Sequence, residues 1–207
     1  MMSSKALKYT IKTTLRPSPQ IYENLFVLDF EATCDYPEQI SPQEIIEFPC
    51  LKVSGKTFEV LSQFHHYIRP ICNPLLSDFC VARTGIIQEI IDNSETFESI
   101  FQQFRIWLHN NDFNNRCVFV TYGNQDFERL LPTQCQISNI AVPSCMRKWL
   151  DLKKCIARAT GHYPSSLKSA VERFGIKFSG RQHSGIDDCY NMVSIMKLLA
   201  EKGYVFN

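Results

Sequence analysis

The sequence lacks a strong net charge, a paired-cysteine motif and a long apolar run, and each absence removes a class of protein from consideration. The 207 residues include 22 Lys and Arg against 21 Asp and Glu, a net charge of +1, so any nucleic-acid partner must bind a local basic surface. No two of the nine cysteines form a Cys-x-x-Cys pair, which argues against a structural zinc site. No apolar run is long enough to cross a membrane, and we expect no membrane partner.

The cysteines and the first residues bear on where the protein acts. An odd number of cysteines and no secretory signal favour reduced thiols in an intracellular protein, in the cytoplasm and also in the nucleus. Residues 1–23 are basic, contain frequent Ser and Thr, and have no acid before Glu23, a composition shared by mitochondrial transit peptides. Because that pattern is common by chance, we favour a basic arm over residues 1–23, followed by a single domain over residues 24–207.

Two carboxylates at the end of an apolar run form the central local signal. Leu25–Leu28 run directly into Asp29, and Glu31 follows two positions later. The composition predicts a buried strand over residues 25–34, in which side-chain alternation places Asp29 and Glu31 on one face and their neighbours in the core. Two adjacent like charges repel each other, and a divalent cation such as Mg²⁺ offsets that repulsion. A strand end that places two solvated acids in water is the alternative, and this stretch alone does not decide between them.

The rest of the chain alternates between predicted strands and helices. A hairpin is expected from strands at 45–53 and 58–68, joined by a turn at 54–56. Glu47 within it could lie near the acidic site, but an isolated acid in a strand usually takes a surface position. Further predicted elements are helical turns in 74–85 capped by Ser77, a helix that opens at 94, a strand at 116–121, and helices at 149–160, 165–174 and after Ser184. The Phe and Trp stripe of the helix after residue 94 is expected to face the core.

Two more acidic groups occur where ligands commonly bind in α/β proteins. Asp126 follows a predicted strand through a Gly turn and begins a short helix that Pro132 is expected to stop. Asp187 and Asp188 open the last helix, directly after a Gly-Arg loop that contains His183. An acid in a first helical turn is also explained by ordinary helix electrostatics, so neither group is decisive alone.

Taken together, these motifs resemble those of the DEDDh 3′-to-5′ exonucleases of the DnaQ-like superfamily, and within that group the Eri exoribonucleases. The resemblance lies in Asp29–Cys34 (DFEATC), Glu44–Pro49 (EIIEFP), Leu76–Cys80 (LSDFC), Thr84–Ile86 (TGI), Tyr122–Asp126 (YGNQD) and His183–Asp188 (HSGIDD). It extends over about residues 24–203, and the motifs are specific when they occur jointly. The resemblance implies an α/β, ribonuclease-H-like fold in three layers, with a central mixed β-sheet flanked by helices.

The resemblance also implies a hydrolytic site with two metal ions. Two Mg²⁺ ions, for which Mn²⁺ would be able to substitute, would be held by the carboxylates of Asp29, Glu31, Asp126 and Asp188. The family spacing of His, four residues and Asp selects Asp188 over Asp187. His183 would accept the proton of the attacking water, and the product would be a nucleoside 5′-monophosphate. These carboxylates and the histidine are the candidate catalytic residues.

The substrate side of the site follows from the same resemblance. Glu31 and backbone amides near Ala32 and Thr33 would bind the terminal 3′ hydroxyl. Phe79 would lie under the terminal base of an RNA with a single-stranded 3′ end or overhang. Arg181 is a candidate phosphate contact. A half-buried structural role for Phe79 and an ordinary surface position for Arg181 are the alternatives.

One position departs from the resembled pattern, and two other functions stay open. Arg83 stands directly before Thr84–Ile86, where an apolar residue is more usual, and a charge there would alter the substrate groove. The other functions are a DNA-directed 3′-to-5′ exonuclease of the same fold and a non-catalytic RNA-binding or scaffold protein. The intact set of carboxylates with a histidine argues against the scaffold, since a scaffold needs no metal ligands.

Overall fold

The computed structural model describes residues 19–207. Residues 1–18 of the predicted basic arm lie outside the described residues. Six strands form one sheet: β1 (Asn24–Leu28), β2 (Glu31–Ala32), β3 (Ile45–Ser54), β4 (Val60–Tyr67), β5 (Cys117–Thr121) and β6 (Trp149–Asp151). The α-helices are α1 (Asp78–Thr84), α2 (Gln88–Asp92), α3 (Phe97–Asn110), α4 (Leu131–Ile137), α5 (Leu152–Thr160), α6 (Leu167–Arg173) and α7 (Gly185–Glu201). A π-helical turn covers Asp126–Leu130, and a 3-10 turn covers Ser144–Arg147.

Strand β1 lies in the interior of the sheet, and its pairing determines which strand ends lie at the same edge. It pairs antiparallel with β3 and parallel with β5, while β4 pairs with β3 and β6 pairs with β5. The sheet is therefore mixed, as the predicted fold class requires. Because β1 and β5 run parallel, with Val27 opposite Val120, their carboxyl ends reach the same edge of the sheet. Residues that follow the two strands meet at this edge, where ligands bind in open α/β sheets.

Alternating side chains of β1 enter two hydrophobic clusters, one on each face of the sheet. Leu25 and Val27 pack with residues of α5, α6 and α7, whereas Phe26 and Leu28 pack with an aromatic-rich group from α3 and α4. A strand whose two faces are both buried in this way is typical of the middle of a sheet covered by helices. The aromatic stripe of α3 belongs to the second cluster, which confirms its predicted place in the core.

The prediction of one continuous strand over residues 25–34 is wrong. The chain leaves the ladder at the end of β1 and pairs again only as β2, where the register against β3 shifts between Glu31 and Ala32. The N–H of Phe30 donates instead to Asp126 Oδ1 at 2.9 Å, so a side chain from the end of β5 takes the place of a strand partner. Irregularities of this kind change the direction of side chains and are frequent beside active sites.

Two helix predictions also need correction. Residues 149–151 form β6 and not the start of a helix, because they pair in parallel with β5; Asp151 then caps α5 with its side chain. Pro132 does not stop its helix. The N–H of Leu131 donates to the carbonyl of Asp126 in the wider π-helical turn, and Pro132 occupies an early position of α4, where its missing N–H is not required.

The other predicted elements are confirmed within small shifts of their ends. The hairpin forms from β3 and β4, and α1 begins after Ser77, whose side chain accepts the N–H of Cys80 at 3.1 Å. Left-handed glycines end α1 at Gly85 and α5 at Gly161. Among the described residues, no helix combines the length and the apolar character that crossing a membrane requires.

Candidate active site

Asp29 and Asp126 lie at the shared carboxyl edge of β1 and β5. Asp29 directly follows β1, and Asp126 opens the π-helical turn that follows β5. The Asp126 side chain is buried and accepts the N–H of Phe30, so its position is tied to the segment that carries Asp29. Parallel strand pairing therefore brings together two acids that are far apart in the sequence.

Glu31, His183 and Asp188 form a group at the same edge. One possible ligand atom from each residue lies within 4.8 Å of the others, close enough for the three to contact one cation. The His183 backbone N–H donates to Asp188 Oδ2 at 3.2 Å, whereas the buried Asp188 Oδ1 has no hydrogen-bond partner among the described residues. Buried polar atoms are almost always paired, so this oxygen is a candidate metal ligand. His183 itself has a left-handed φ of 59°, a strained conformation that is enriched at functional sites.

Glu47 is a buried acid, and the expectation of a surface position for it is wrong. Its carboxylate accepts the N–H of Gly185 at 2.9 Å and that of Ile186 at 3.2 Å, and it bonds to His65 Nε2 at 2.8 Å. The first N–H groups of a helix have no partner within the helix and carry partial positive charge, so a carboxylate is stabilised there. Glu47 thereby performs the capping predicted for Ser184, whose side chain makes no capping bond.

Gly185 lets the first turn of α7 pack directly against the end of β1. A Cβ at this position would collide with the carbonyl oxygen of Asp29, so a larger residue would push the helix and Asp188 away from the sheet. Glu47 lies opposite Glu31 in the pairing of β3 with β2. That cross-strand pairing is the signal that would have placed Glu47 near the other acids, and it depends on a register that the sequence does not show.

Asp187 and Asp188 are adjacent in the chain but have different surroundings. Asp187 Oδ2 accepts the N–H of Arg181 at 2.8 Å and so closes the loop that precedes α7. Asp188 is buried beside His183 and Glu31. This placement supports Asp188, and not Asp187, as the metal ligand.

Burial and mutual repulsion raise the pKa values of the clustered acids. Burial raises the pKa of Asp29 well above its usual value, and the charges of Asp126 and Asp188 raise it further. The pKa of Glu31 is raised to about 8, first by burial and then by the charge of Glu47. Burial also raises the pKa of Asp188 to about 7 and that of Asp126 to about 6, while backbone N–H bonds to both carboxylates oppose the rise. A bound cation would restore the charged forms.

His183 differs from the acids because its surroundings disfavour its charged form. Burial lowers the pKa of His183, and the positive charges of Arg83 and Arg181 lower it further. The imidazole is therefore neutral at pH 7 and retains one ring nitrogen that accepts a proton.

The residues present fit a divalent metal site. Buried carboxylates that repel each other are stabilised by a cation, and the unpaired Asp188 Oδ1 offers a ligand atom that nothing else in the described residues uses. Carboxylate oxygens are the ligands that Mg²⁺ and Mn²⁺ prefer. The candidate ligands are Asp29, Glu31, Asp126 and Asp188.

Phe79 lies on α1, whose start is hydrogen-bonded to the Asp29–Cys34 motif. The Ser77 hydroxyl donates to the Cys34 carbonyl at 2.8 Å and so ties the start of α1 to the chain that follows β2. The Phe79 ring is 36% exposed, belongs to none of the buried clusters and lies 5.9 Å from the ring of Tyr36. The exposed ring lines the same open pocket as His183 and is available for stacking, and the role of Phe79 stays a prediction.

Two of the predicted substrate contacts are engaged in bonds within the protein. Arg181 Nη2 donates to two carbonyl oxygens in the last turn of α1, at 2.6 and 3.3 Å. The N–H of Thr33 donates to the carbonyl of Glu44 at 2.8 Å. Arg181 therefore ties the loop that carries His183 to α1. Substrate contacts of Arg181, Thr33 and the neighbouring Ala32 stay predictions.

Known proteins show strong similarity to this chain. The sequence profile of the RNase_T family, described as an exonuclease, matches residues 26–196. ERI1 exoribonuclease 3 of Homo sapiens is 43% identical over 192 residues, which cover 91% of this chain and 57% of that protein. The 3′-5′ exonuclease Snipper of Drosophila melanogaster is 31% identical over 93% of this chain and 74% of that protein. The chain thus spans 57% of the length of the ERI1 exoribonuclease 3 relatives from Homo sapiens and Bos taurus.

Solved structures share the fold as well. The nuclease domain of 3′hExo, a DEDDh family member bound to rAMP, matches with a TM-score of 0.87 and 29% identity over 92% of this chain and 98% of that chain. A 3′-exonuclease in a structure of 3′-end specific recognition of a histone mRNA stem-loop matches with a TM-score of 0.85, 29% identity, and coverage of 89% and 66%. These neighbours confirm the ribonuclease-H-like fold. The chain belongs to the RNase_T exonuclease family, as a DEDDh member similar to the Eri exoribonucleases.

Proposed function

We propose that this chain is a metal-dependent 3′-to-5′ exoribonuclease that releases nucleoside 5′-monophosphates from single-stranded RNA 3′ ends or overhangs. The observation that carries the proposal is the convergence of Glu31, His183 and Asp188 within 4.8 Å, at the sheet edge where Asp29 and Asp126 lie. RNA is favoured as the polymer because the similar human proteins are named exoribonucleases.

The DEDDh fold implies dependence on a divalent metal ion, and we propose that the ion is Mg²⁺, bound as a pair. Asp29, Glu31, Asp126 and Asp188 would hold it. When bound, such ions activate a coordinated water and stabilise charge on the attacking and leaving oxygens of a displacement at phosphorus. Strand pairing brings Asp29 and Asp126 to one edge of the sheet, and the absence of a side chain at Gly185 lets the start of α7, which carries Asp188, pack against the end of β1.

His183 would accept the proton of the attacking water. Burial lowers the pKa of His183, so the imidazole is neutral at the pH of the cell. Three hydrogen bonds hold the loop that carries His183. The His183 N–H donates to Asp188, and the Arg181 side chain donates to a carbonyl of α1. The Arg181 backbone N–H donates to Asp187. General base catalysis requires a base at a fixed hydrogen-bonding distance, and these bonds supply that rigidity.

Attack at the 3′ end would depend on contacts to the terminal nucleotide. Glu31 would accept a hydrogen bond from the terminal 3′ hydroxyl, and the exposed Phe79 ring would lie under the terminal base. Every base has a π face, so stacking on Phe79 would be largely independent of sequence. Duplex ends offer no unstacked base to this ring, which is why we propose single-stranded ends or overhangs as substrates.

A nuclease assay tests the proposal on RNA labelled at either end, on RNA hairpins with and without a 3′ overhang, and on DNA of matched sequence. In Mg²⁺, 3′-labelled RNA should release labelled nucleoside 5′-monophosphate at once, and 5′-labelled RNA should shorten step by step. EDTA should stop both, and the Asp29→Asn variant prepared in parallel would exclude a contaminating nuclease. Faster cleavage of DNA would assign the chain as a DNA exonuclease. RNA binding without any metal-dependent release would assign it as a scaffold.

A further inference from the structure

Arg83 lies in the last turn of α1, at the rim of the candidate active site. It follows Phe79 by four residues, a spacing that places both side chains on one face of the helix. An open pocket on this side of the protein is lined by Phe79, Ala82, Arg83, Arg181, Gln182 and His183. The pocket therefore joins the exposed aromatic ring to the proposed proton acceptor, and Arg83 forms part of its wall.

The two arginines of this pocket are used differently. Arg181 is committed to carbonyl oxygens in the last turn of α1. Arg83 is exposed, and its guanidinium makes no ion pair with any carboxylate in residues 19–207. Arg83 is nevertheless close to His183, because both side chains line the same open pocket. Arg83 therefore has a guanidinium that is available to an incoming ligand.

A phosphodiester must enter a site that is lined with acidic side chains. The acids that act on one another there are Asp29, Glu31, Glu47, Asp126 and Asp188, and the chain as a whole carries a net charge of only +1. A cation at the rim offsets the repulsion of the substrate. A guanidinium is well suited to this task, because it forms paired, charge-assisted hydrogen bonds with phosphate oxygens.

We propose that Arg83 binds a backbone phosphate of the RNA beside the base that stacks on Phe79; this inference rests on the proposed exoribonuclease function. The apolar residue that is more usual at this position in the resembled family cannot make this contact. Arg83 would therefore give this chain tighter and more salt-sensitive binding of RNA ends. It positions the substrate and has no part in the proton transfer.

The test compares Arg83→Ala and Arg83→Lys with Arg173→Ala, which removes an exposed arginine from the last turn of α6, another helix of seven residues. One readout is the Kd for single-stranded RNA in EDTA across a series of salt concentrations, and the other is kcat and KM in Mg²⁺. For Arg83→Ala we expect Kd and KM to rise about tenfold, equivalent to about 1.4 kcal/mol, with kcat nearly unchanged. The slope of log affinity against log salt should fall by about 0.7. Arg83→Lys should keep the slope with weaker affinity, and Arg173→Ala should match wild type.

Each outcome separates this inference from the proposed function. An unchanged salt slope and unchanged affinity in Arg83→Ala would overturn the inference, whether or not the wild-type protein cleaves RNA. A lower melting temperature for Arg83→Ala with the same RNA binding would make Arg83 structural and would overturn it as well. If wild type cleaves nothing, yet Arg83→Ala loses affinity and salt slope in EDTA, the proposed function fails and the phosphate contact stands.

Discussion

Replacement of Glu47 by Ala tests whether a buried carboxylate holds the start of α7. The side chain is 1% exposed and accepts two helix N–H groups, from Gly185 at 2.9 Å and from Ile186 at 3.2 Å. A buried donor left without an acceptor costs about 1–3 kcal/mol, so the two together predict a loss of about 2–6 kcal/mol in the free energy of unfolding. The His65 side chain is 21% exposed and can bond to water instead, so its lost bond adds little.

One effect opposes this loss. The charge of Glu47 raises the pKa of Glu31 and that of Asp29, so its removal relieves repulsion among the acids. Glu47→Gln separates the two contributions, because the amide removes the charge and keeps one oxygen that accepts a helix N–H. In EDTA, we therefore expect the stability of Glu47→Gln to lie between those of wild type and Glu47→Ala.

Urea unfolding in EDTA measures the change, and thermal unfolding checks it. For a protein of this size, about 1 kcal/mol corresponds to about 2–4 °C, so Glu47→Ala should melt about 4–24 °C lower than wild type. Glu59→Ala is the control, since Glu59 is an exposed acid and should change stability by less than about 0.5 kcal/mol. A loss under about 1 kcal/mol for Glu47→Ala would refute the reasoning. Full nuclease activity would also contradict it, because Asp188 lies in the helical turn that Glu47 holds.

Four further substitutions test other parts of the site. Asp29→Asn should abolish cleavage, while the melting temperature in EDTA holds or rises because one repelling charge is gone; unchanged activity in the purified variant would contradict the whole assignment. His183→Ala should lower the cleavage rate by about 10²–10⁴-fold at unchanged RNA affinity, and a loss of metal binding in calorimetry would instead make His183 a ligand. Phe79→Ala should weaken binding of single-stranded 3′ ends about tenfold and Phe79→Trp should not, since stacking contributes about 1–3 kcal/mol per base; a lower melting temperature at unchanged affinity would show a structural role. Gly185→Ala should lower both the melting temperature and the activity, because its methyl group would meet the Asp29 carbonyl; wild-type values for both would rule out the close packing of α7 on β1.

Short-range patterns were sufficient to place most elements and the candidate acids along the chain. The apolar run before Asp29 predicted the middle strand, because burial of both faces requires unbroken hydrophobic sequence. The Gly turn before Asp126 and the polar loop before Asp188 likewise predicted acids at the ends of elements. The combination of these motifs carried the fold class, since each motif alone has an ordinary structural explanation.

Tertiary contacts determined the features in which a distant partner competes with local preference. Residues 149–151 form a strand because they pair with the edge of β5. The predicted strand over residues 25–34 is interrupted after β1, because the Phe30 N–H donates to the Asp126 side chain and not to a neighbouring strand. Glu47 is buried because the free N–H groups of α7 reach it from the far end of the chain. A sequence shows which groups need a hydrogen-bond partner, but the partner is chosen by which elements approach each other when the core packs.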